Sequence, residues 1–215
     1  MDKQKIVITD DNSTTVFSDR YKEHYHSTFG AENESQHIFI DAGLKQINKQ
    51  EISIFEMGFG TGLNAYLTLK NLKEENKKVH YLGIEKHPVL AEVYENLSFS
   101  SDKIFLEMHT LAWGKEFLFR DNFVLEKVEA DLLDYQHKQK YDLVYFDAFS
   151  PDIQSDLWSE DVFKKLYNTM NNGAVLMTYS VKGIVKRALK SAGFKIEKLP
   201  GPKGKREILR ATKVI

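Results

Sequence analysis

Hydrophobic and polar positions along this chain follow two periods that alternate with each other. Ile52-Ser53-Ile54-Phe55 repeats with the two-residue period of a strand, and from Leu63 apolar positions recur at helical spacing to about Glu75. The exchange then continues. Residues 79–85 predict a second strand, Pro88 stands near the start of a helix over 89–97, and 101–112 predict another helix. A β-rich stretch covers 119–130, and the short apolar run 143–146 suits a strand buried on both faces. Ser159 is placed to cap a helix ending near Asn171. A strand over 173–179, a helix over 184–192 and strands near 194–199 and 207–211 complete the series. Such alternation predicts an α/β fold, a doubly wound sheet with helices on both faces that binds ligands beyond the carboxyl ends of its strands.

Ahead of this series the pattern differs. Residues 6–9 and 15–18 flank Asp10-Asp11-Asn12-Ser13 and predict a hairpin. A polar stretch from Tyr25 to Ser35 then leads into a helix whose stripe is Ile38, Phe39, Ala42, Leu44 and Ile47. The expected division is an N-terminal extension over 1–50 packed on a core over 51–215, the two folding as one unit.

Between the first strand and its helix lies Glu56-Met57-Gly58-Phe59-Gly60-Thr61-Gly62-Leu63-Asn64. Three glycines at every second position let a backbone approach a ligand closely, just ahead of a helix N-terminus. The spacing is not the G-x-G-x-x-G that seats a pyrophosphate. Glu56 would repel a pyrophosphate but suits a ligand that carries a free ammonium. The run resembles motif I of class I S-adenosylmethionine-dependent methyltransferases. That resemblance implies a Rossmann-like, seven-stranded, mostly parallel sheet whose last strand is antiparallel, with Glu56, Gly58, Gly60, Gly62 and Asn64 among the cofactor contacts.

Composition narrows the chemistry. The 215 residues contain no cysteine, which excludes thiolate nucleophiles, thiolate metal sites and disulfides, and with them the usual thiolate route to methylating a pyrimidine ring carbon. The seven histidines lack metal-ligand spacing, so no metal is expected. No apolar run is long enough to span a membrane and Met1-Asp2-Lys3-Gln4 does not begin a signal peptide, so a cytoplasmic protein is expected. The net charge of −1 conceals an asymmetry: residues 182–215 hold eleven lysines and arginines against Glu197 and Glu207. Such a face suits a polyanion, or is simply a solvated surface.

Three acids stand at predicted strand ends. Glu85 closes the second strand, where a carboxylate can accept from both hydroxyls of a ribose. Asp131 follows the third and is placed to accept from an adenine amino group. Asp147, in Asp147-Ala148-Phe149-Ser150-Pro151, follows the fourth. A carboxylate there can orient an amine and take up its proton. The turn lacks the Asn/Asp-Pro-Pro-aromatic signature of exocyclic base-amine methylation, which favours a more basic, flexible amine.

Gly58-Phe59-Gly60-Thr61-Gly62-Leu63-Asn64, Asp147-Ala148-Phe149-Ser150-Pro151 and Leu157-Trp158 together resemble the tRNA 5-aminomethyluridine methyltransferases of the MnmC/MnmD type. The block from Tyr25-His26-Ser27 to Glu34-Ser35-Gln36-His37 and the ending Gly201-Pro202-Lys203-Gly204-Lys205-Arg206-Glu207 resemble the same family. The resemblance implies methyl transfer from S-adenosylmethionine to the aminomethyl group of a wobble uridine or 2-thiouridine. Asp147 then orients and deprotonates the amine, and Lys203, Lys205 and Arg206 contact tRNA phosphates. His26 and Glu34 line the pocket or hold loops, and Phe149 and Trp158 stack on a base or pack in the core. Bifunctional relatives add a flavin-dependent oxidase; no second dinucleotide fingerprint occurs here, so no FAD is expected. A small-amine methyltransferase, an aminopropyltransferase and a catalytically silent RNA-binding subunit remain as alternatives, and oligomeric state is open.

Overall fold

A computed structural model describes residues 4–72 and 77–214. The chain opens with β1 (Gln4–Ile8), β2 (Thr14–Ser18) and β3 (Glu23–His24), a small antiparallel sheet. Helix α1 (Ala31–Ser35) runs into a π-helical turn over Gln36–Asp41 and a 3-10 turn over Leu44–Gln46. The alternating part then contains β4 (Glu51–Met57), α2 (Leu63–Asn71), β5 (Lys78–Glu85), α3 (Ala91–Tyr94), α4 (Lys103–Thr110), β6 (Glu116–Arg120), β7 (Phe123–Glu129) and β8 (Tyr141–Phe146). It closes with α5 (Glu160–Thr169), β9 (Met170–Thr178), α6 (Gly183–Ser191), β10 (Phe194–Pro200) and β11 (Glu207–Lys213). The expected end of α2 near Glu75 lies outside the described residues.

The large sheet has the order β10-β11-β9-β8-β4-β5-β7-β6. Strands β9, β8, β4, β5 and β7 are parallel, and β11 inserts antiparallel between β9 and β10. The doubly wound, mostly parallel architecture is as expected, with one strand more than the expected seven. The β-rich stretch folds back at Asp121-Asn122, so that β6 pairs antiparallel with β7. Both halves carry strand-forming residues, and only a polar dipeptide separates them.

Two helices are shorter than their patterns predict. The segment expected over 89–97 keeps one turn, α3, and is followed by a 3-10 turn over Ser98–Ser101, after which Asp102 caps α4 by accepting from the Ile104 amide at 2.9 Å. The helix expected up to Ile47 breaks into the π and 3-10 turns. Its stripe still does its work, since Ile38, Phe39 and Leu44 are buried.

Alternate residues of the central strands feed two apolar layers. Ile54, Tyr81, Leu143 and Tyr145 pack beneath α2, α4 and the N-terminal Val16, Ala31 and Phe39. Phe55, Val144, Phe146 and Leu176 pack against Phe163 and Leu166 of α5 and Val185 and Leu189 of α6. Strand β8 is buried at every position because helices cover both faces. Among the described residues, no helix is long and apolar enough to cross a membrane.

Phe39 joins the extension to the core, its ring centroid 5.0 Å from that of Tyr145. Phe39→Ala is expected to cost about 3–5 kcal/mol. Urea unfolding should show one transition at a lower midpoint with an unchanged slope. A separate early transition would instead mean that the extension folds on its own.

Candidate functional site

The turn after β4 is shaped by what passes beside it. Gly58, Gly60 and Gly62 have φ of 87°, 50° and 74°, the left-handed region that glycine adopts without strain. The Gly58 and Phe59 amides donate to the Ile84 carbonyl at 3.1 and 3.0 Å, which ties the turn to β5. On the other side the Asp147 amide donates to the Met57 carbonyl at 3.0 Å. A Cβ on Gly58 would lie 2.6 Å from the Asp147 carbonyl oxygen. The absent side chain therefore lets the end of β8 close on the turn.

Asn64, in the first turn of α2, connects the two acids. Its Nδ2 donates to Glu56 Oε1 at 2.9 Å and to Asp147 Oδ2 at 2.8 Å. Burial pushes the Glu56 carboxyl well up, and the nearby Asp147 and Glu85 add to the shift. Burial also raises Asp147 to about 7; Glu34 reinforces this, while the Asn64 hydrogen bond and the Lys205 charge oppose it. Glu56 is 0% exposed and, like Asn64, stands behind the cavity wall rather than in it. The expected direct grip of Glu56 on an ammonium is therefore not what the structure displays, because α2 seats Asn64 in front of it.

Beyond this wall a cavity of about 490 Å3 opens between the strand ends and the N-terminal extension. Glu85 lies in its wall and accepts from the Gly60 amide at 3.0 Å and the His87 amide at 2.9 Å. Asp131 also lines it. Partial burial pushes the Asp131 carboxyl up, but the Lys86 ammonium at 2.7 Å and the Leu133 amide hold it below the usual range. Six carboxylates line the cavity, Glu23, Glu34, Glu85, Asp131, Asp147 and Asp156, against the two lysines Lys86 and Lys205. Such a surface favours cationic ligands. Among the described residues no group of three or more His, Asp or Glu side chains is arranged to hold a metal ion.

The extension forms the opposite wall. His26 Nε2 meets Thr61 Oγ1 at 2.8 Å, and burial lowers the imidazole to about 4 against the pull of Glu34, so it is neutral at pH 7. Glu34 accepts from the Ser27 amide at 2.8 Å and pairs with Lys205 at 2.7 Å. Phe149 stacks on Tyr21 at 4.4 Å and meets Tyr25 edge-on at 4.9 Å. Trp158 lies in the core, 1% exposed, and donates to the Phe149 carbonyl at 2.8 Å. It supports the Phe149 loop from beneath and does not line the cavity.

The loop between β10 and β11 closes over the extension. Lys203 pairs with Asp10 at 3.1 Å and Lys205 with Glu34, while Phe29 packs on Gly204, where a Cβ would lie 2.4 Å from the ring. Arg206 is exposed, with its carbonyl accepting from the Gly201 amide at 3.0 Å. Of the three cations expected to meet a polyanion, two are thus already paired with carboxylates.

Several cavity residues were not singled out from the sequence. Glu23 accepts from the Ser150 amide at 2.9 Å and pins the Phe149 loop. Tyr179, just beyond β9, donates to the Ala148 carbonyl at 2.9 Å. Tyr21 and Tyr25 complete the aromatic wall. A sequence signal existed for Tyr179, which follows a strand on the same sheet edge as Asp147. Tyr21 and Glu23 carried none, because only the fold of the extension brings them to the cavity.

A family model described as "S-adenosyl-L-methionine-dependent methyltransferase" matches residues 92–214. The chain is 31% identical over 205 residues to the tRNA 5-methylaminomethyl-2-thiouridine biosynthesis bifunctional protein MnmC of Campylobacter hominis, covering 91% of this chain and 31% of that protein. Its counterpart in Burkholderia multivorans is 34% identical over 215 residues, covering 91% and 33%. The chain thus spans about a third of the length of the relatives it matches. Among solved structures, MNMC2 from Aquifex aeolicus superposes with a TM-score of 0.82 at 24% identity, covering 99% of this chain and 71% of that one. Spermidine synthase from Thermotoga maritima superposes with a TM-score of 0.65 at 15% identity, covering 100% and 70%. Both share the fold.

Asp147 makes stability depend on pH in a defined sense. An unfolded aspartate loses its proton near pH ~3.9, whereas Asp147 in the fold keeps it to about 7. Its contribution therefore declines as pH rises from about 4 to about 7 and is level above that. Asp147→Asn should remove the decline, so its stability gain over wild type grows across that window and then plateaus. Urea midpoints measured across the range test this. A gain independent of pH would mean an ordinary carboxyl at Asp147.

Proposed function

Since the chain belongs to the S-adenosyl-L-methionine-dependent methyltransferase family, we propose that it methylates the 5-aminomethyl group of a wobble uridine or 2-thiouridine in tRNA. The observation that carries this reading is the Asn64-held Asp147 carboxylate, raised to about 7 by burial, beside the glycine turn in an acid-lined cavity. The resemblance of most of this chain to about a third of the length of MnmC proteins supports the substrate. Action on tRNA would place the protein in the cytoplasm.

The residues present fit the cofactor. Gly58 and Gly60 present backbone to the cavity, whose volume lies in the range of small-molecule sites. Glu85, at the end of the second core strand, would hold the ribose hydroxyls, and Asp131, at the end of the third, the adenine side. Glu56 and Asn64 would act from behind by fixing Asp147. When bound, the cofactor supplies a methyl group activated by attachment to a sulfonium sulfur.

Asp147 supplies what the acceptor amine lacks. An alkylammonium has no free lone pair, so the amine must lose a proton before its nitrogen can attack carbon. A carboxylate with a pKa near 7 is a better proton acceptor than one near 4 and is still mostly ionised just above neutrality. Asp147 would accept that proton, directly or through water, before the nitrogen takes the methyl, and the methylated product is then itself an ammonium. Asn64, donating to Oδ2, leaves Oδ1 of Asp147 to face the amine. Phe149 would stack on the uracil ring, with Tyr21 fixing its plane. His26 and Glu34 shape the roof, and Lys205 lines the cavity beside Glu34.

Incubation with labelled S-adenosylmethionine and tRNA lacking the terminal methyl should label the wobble nucleoside. Asp147→Ala should lower kcat by about 10²–10⁴-fold while cofactor affinity changes little. Label transferred only to small polyamines would replace tRNA with a free amine as substrate, and near-wild-type turnover in Asp147→Ala would remove Asp147 from proton transfer.

A further inference from the structure

The basic residues of the C-terminal region fall into two groups with different surroundings. Those of the β10–β11 loop are engaged with the extension: Lys203 holds Asp10 and Lys205 holds Glu34. The second group lies on α6 and the facing side of β10. Lys186, Arg187 and Lys190, with Gly183, form one wall of a shallow groove, and Ile196 and Lys198 form the other. Lys198 pairs with Glu207 at 2.8 Å. Among the described residues no carboxylate lies within ion-pair distance of Lys186, Arg187 or Lys190.

Lys182, Lys186 and Lys190 are spaced four residues apart, so they form one stripe that rises about 6 Å per step along the helix. Like charges at this spacing weaken a helix, and no acidic residue occurs between Gly183 and Ser191 to relieve them. Arg187 folds back over Gly183, its Nη1 3.2 Å from where a Cβ would stand, which brings its charge into the groove. Glu197, the acid of β10, lies on the opposite face of the strand from Ile196 and Lys198, paired with Arg210.

The stripe begins at the candidate active site. Helix α6 follows β9 and Tyr179, which lines the cavity. Lys182, at its head, pairs with Asp152 in the loop that also presents Phe149, Ile153 and Gln154 to the cavity. A chain of phosphates lying along the groove would therefore reach the mouth of the cavity at one end.

Resting on the function proposed above, we infer that the α6–β10 groove is the track for the RNA backbone, with Lys186, Arg187 and Lys190 meeting phosphates that flank the nucleotide in the cavity. The Lys203–Arg206 loop acts instead as a latch on the extension. The groove takes phosphates because its cations, Lys186, Arg187, Lys190 and Lys198, outnumber the acid Glu207 that faces Lys198 and Lys186, and it offers no base-reading element. Its contribution is affinity and placement, not sequence choice.

The experiment compares wild type with the variant carrying Lys186→Gln, Arg187→Gln and Lys190→Gln, using fluorescence anisotropy of labelled tRNA over a salt series. Each phosphate contact contributes roughly 0.7–0.9 to the slope of log K against log salt, so the variant's slope should be flatter by about two. Its tRNA affinity at low salt should fall at least tenfold, the KM for tRNA should rise with kcat nearly unchanged, and S-adenosylmethionine affinity should be unaltered. An unchanged slope in a variant that retains wild-type melting temperature and cofactor binding overturns the groove. Wild-type protein that binds tRNA without methylating it defeats the proposed function, while the slope still decides the groove. Wild-type protein that fails to bind tRNA defeats both.

Discussion

One acid sealed from water, Glu56, and one at the cavity wall, Asp147, share one side-chain amide, and much of the rest of the site is arranged around that contact. Removing an ionised carboxylate from water costs several kcal/mol, which charge-assisted hydrogen bonds offset only in part. The single Asn64 Nδ2 serves both Glu56 and Asp147, so neither acid is fully compensated, and burial moves both carboxyls upward. The same incomplete compensation fixes the orientation of Asp147 and sets its proton affinity near neutrality. A base of that strength, in one orientation, is what an amine acceptor requires.

That contact depends on the sheet. Parallel pairing sets Met57 of β4 beside Phe146 of β8, so the next residues, Gly58 and Asp147, emerge side by side. Only glycine fits where the Asp147 carbonyl passes. Helix α2 then starts at Gly62 and brings Asn64 back over both acids. The N-terminal extension adds the roof, held by His26 on Thr61 and Glu23 on the Ser150 amide, and the β10–β11 loop latches onto it through Lys205 and Glu34. The pocket is thus closed by polar contacts at its rim together with the packing of Tyr21 and Tyr25 on Phe149 and of Phe29 on Gly204.

The α/β class, the order of the main elements and the acids at three strand ends were legible in the chain. Periodicity reports which face of an element is buried, and a strand end followed by an acid is visible without coordinates. Element lengths were less legible. The π turn over Gln36–Asp41 keeps the apolar stripe of a helix while breaking its hydrogen bonds, and β6 hides in the same β-rich run as β7. Trp158 read equally well as a stacking platform or a core residue, and only its burial beneath the Phe149 carbonyl separates the two.

The sequence alone determined the chemistry available: a glycine turn with an acid before it, a carboxylate after the fourth strand, no thiol, and a surplus of cations near the end. Those follow from residue identity and local spacing, which a linear chain carries in full. Tertiary structure decided which groups meet. It set Asn64 between Glu56 and Asp147, paired Lys203 and Lys205 with acids far away in the chain, and left Lys186, Arg187 and Lys190 without such partners. Contact, burial and the resulting proton affinities depend on distances through space between residues far apart in sequence, and those distances exist only once the chain has folded.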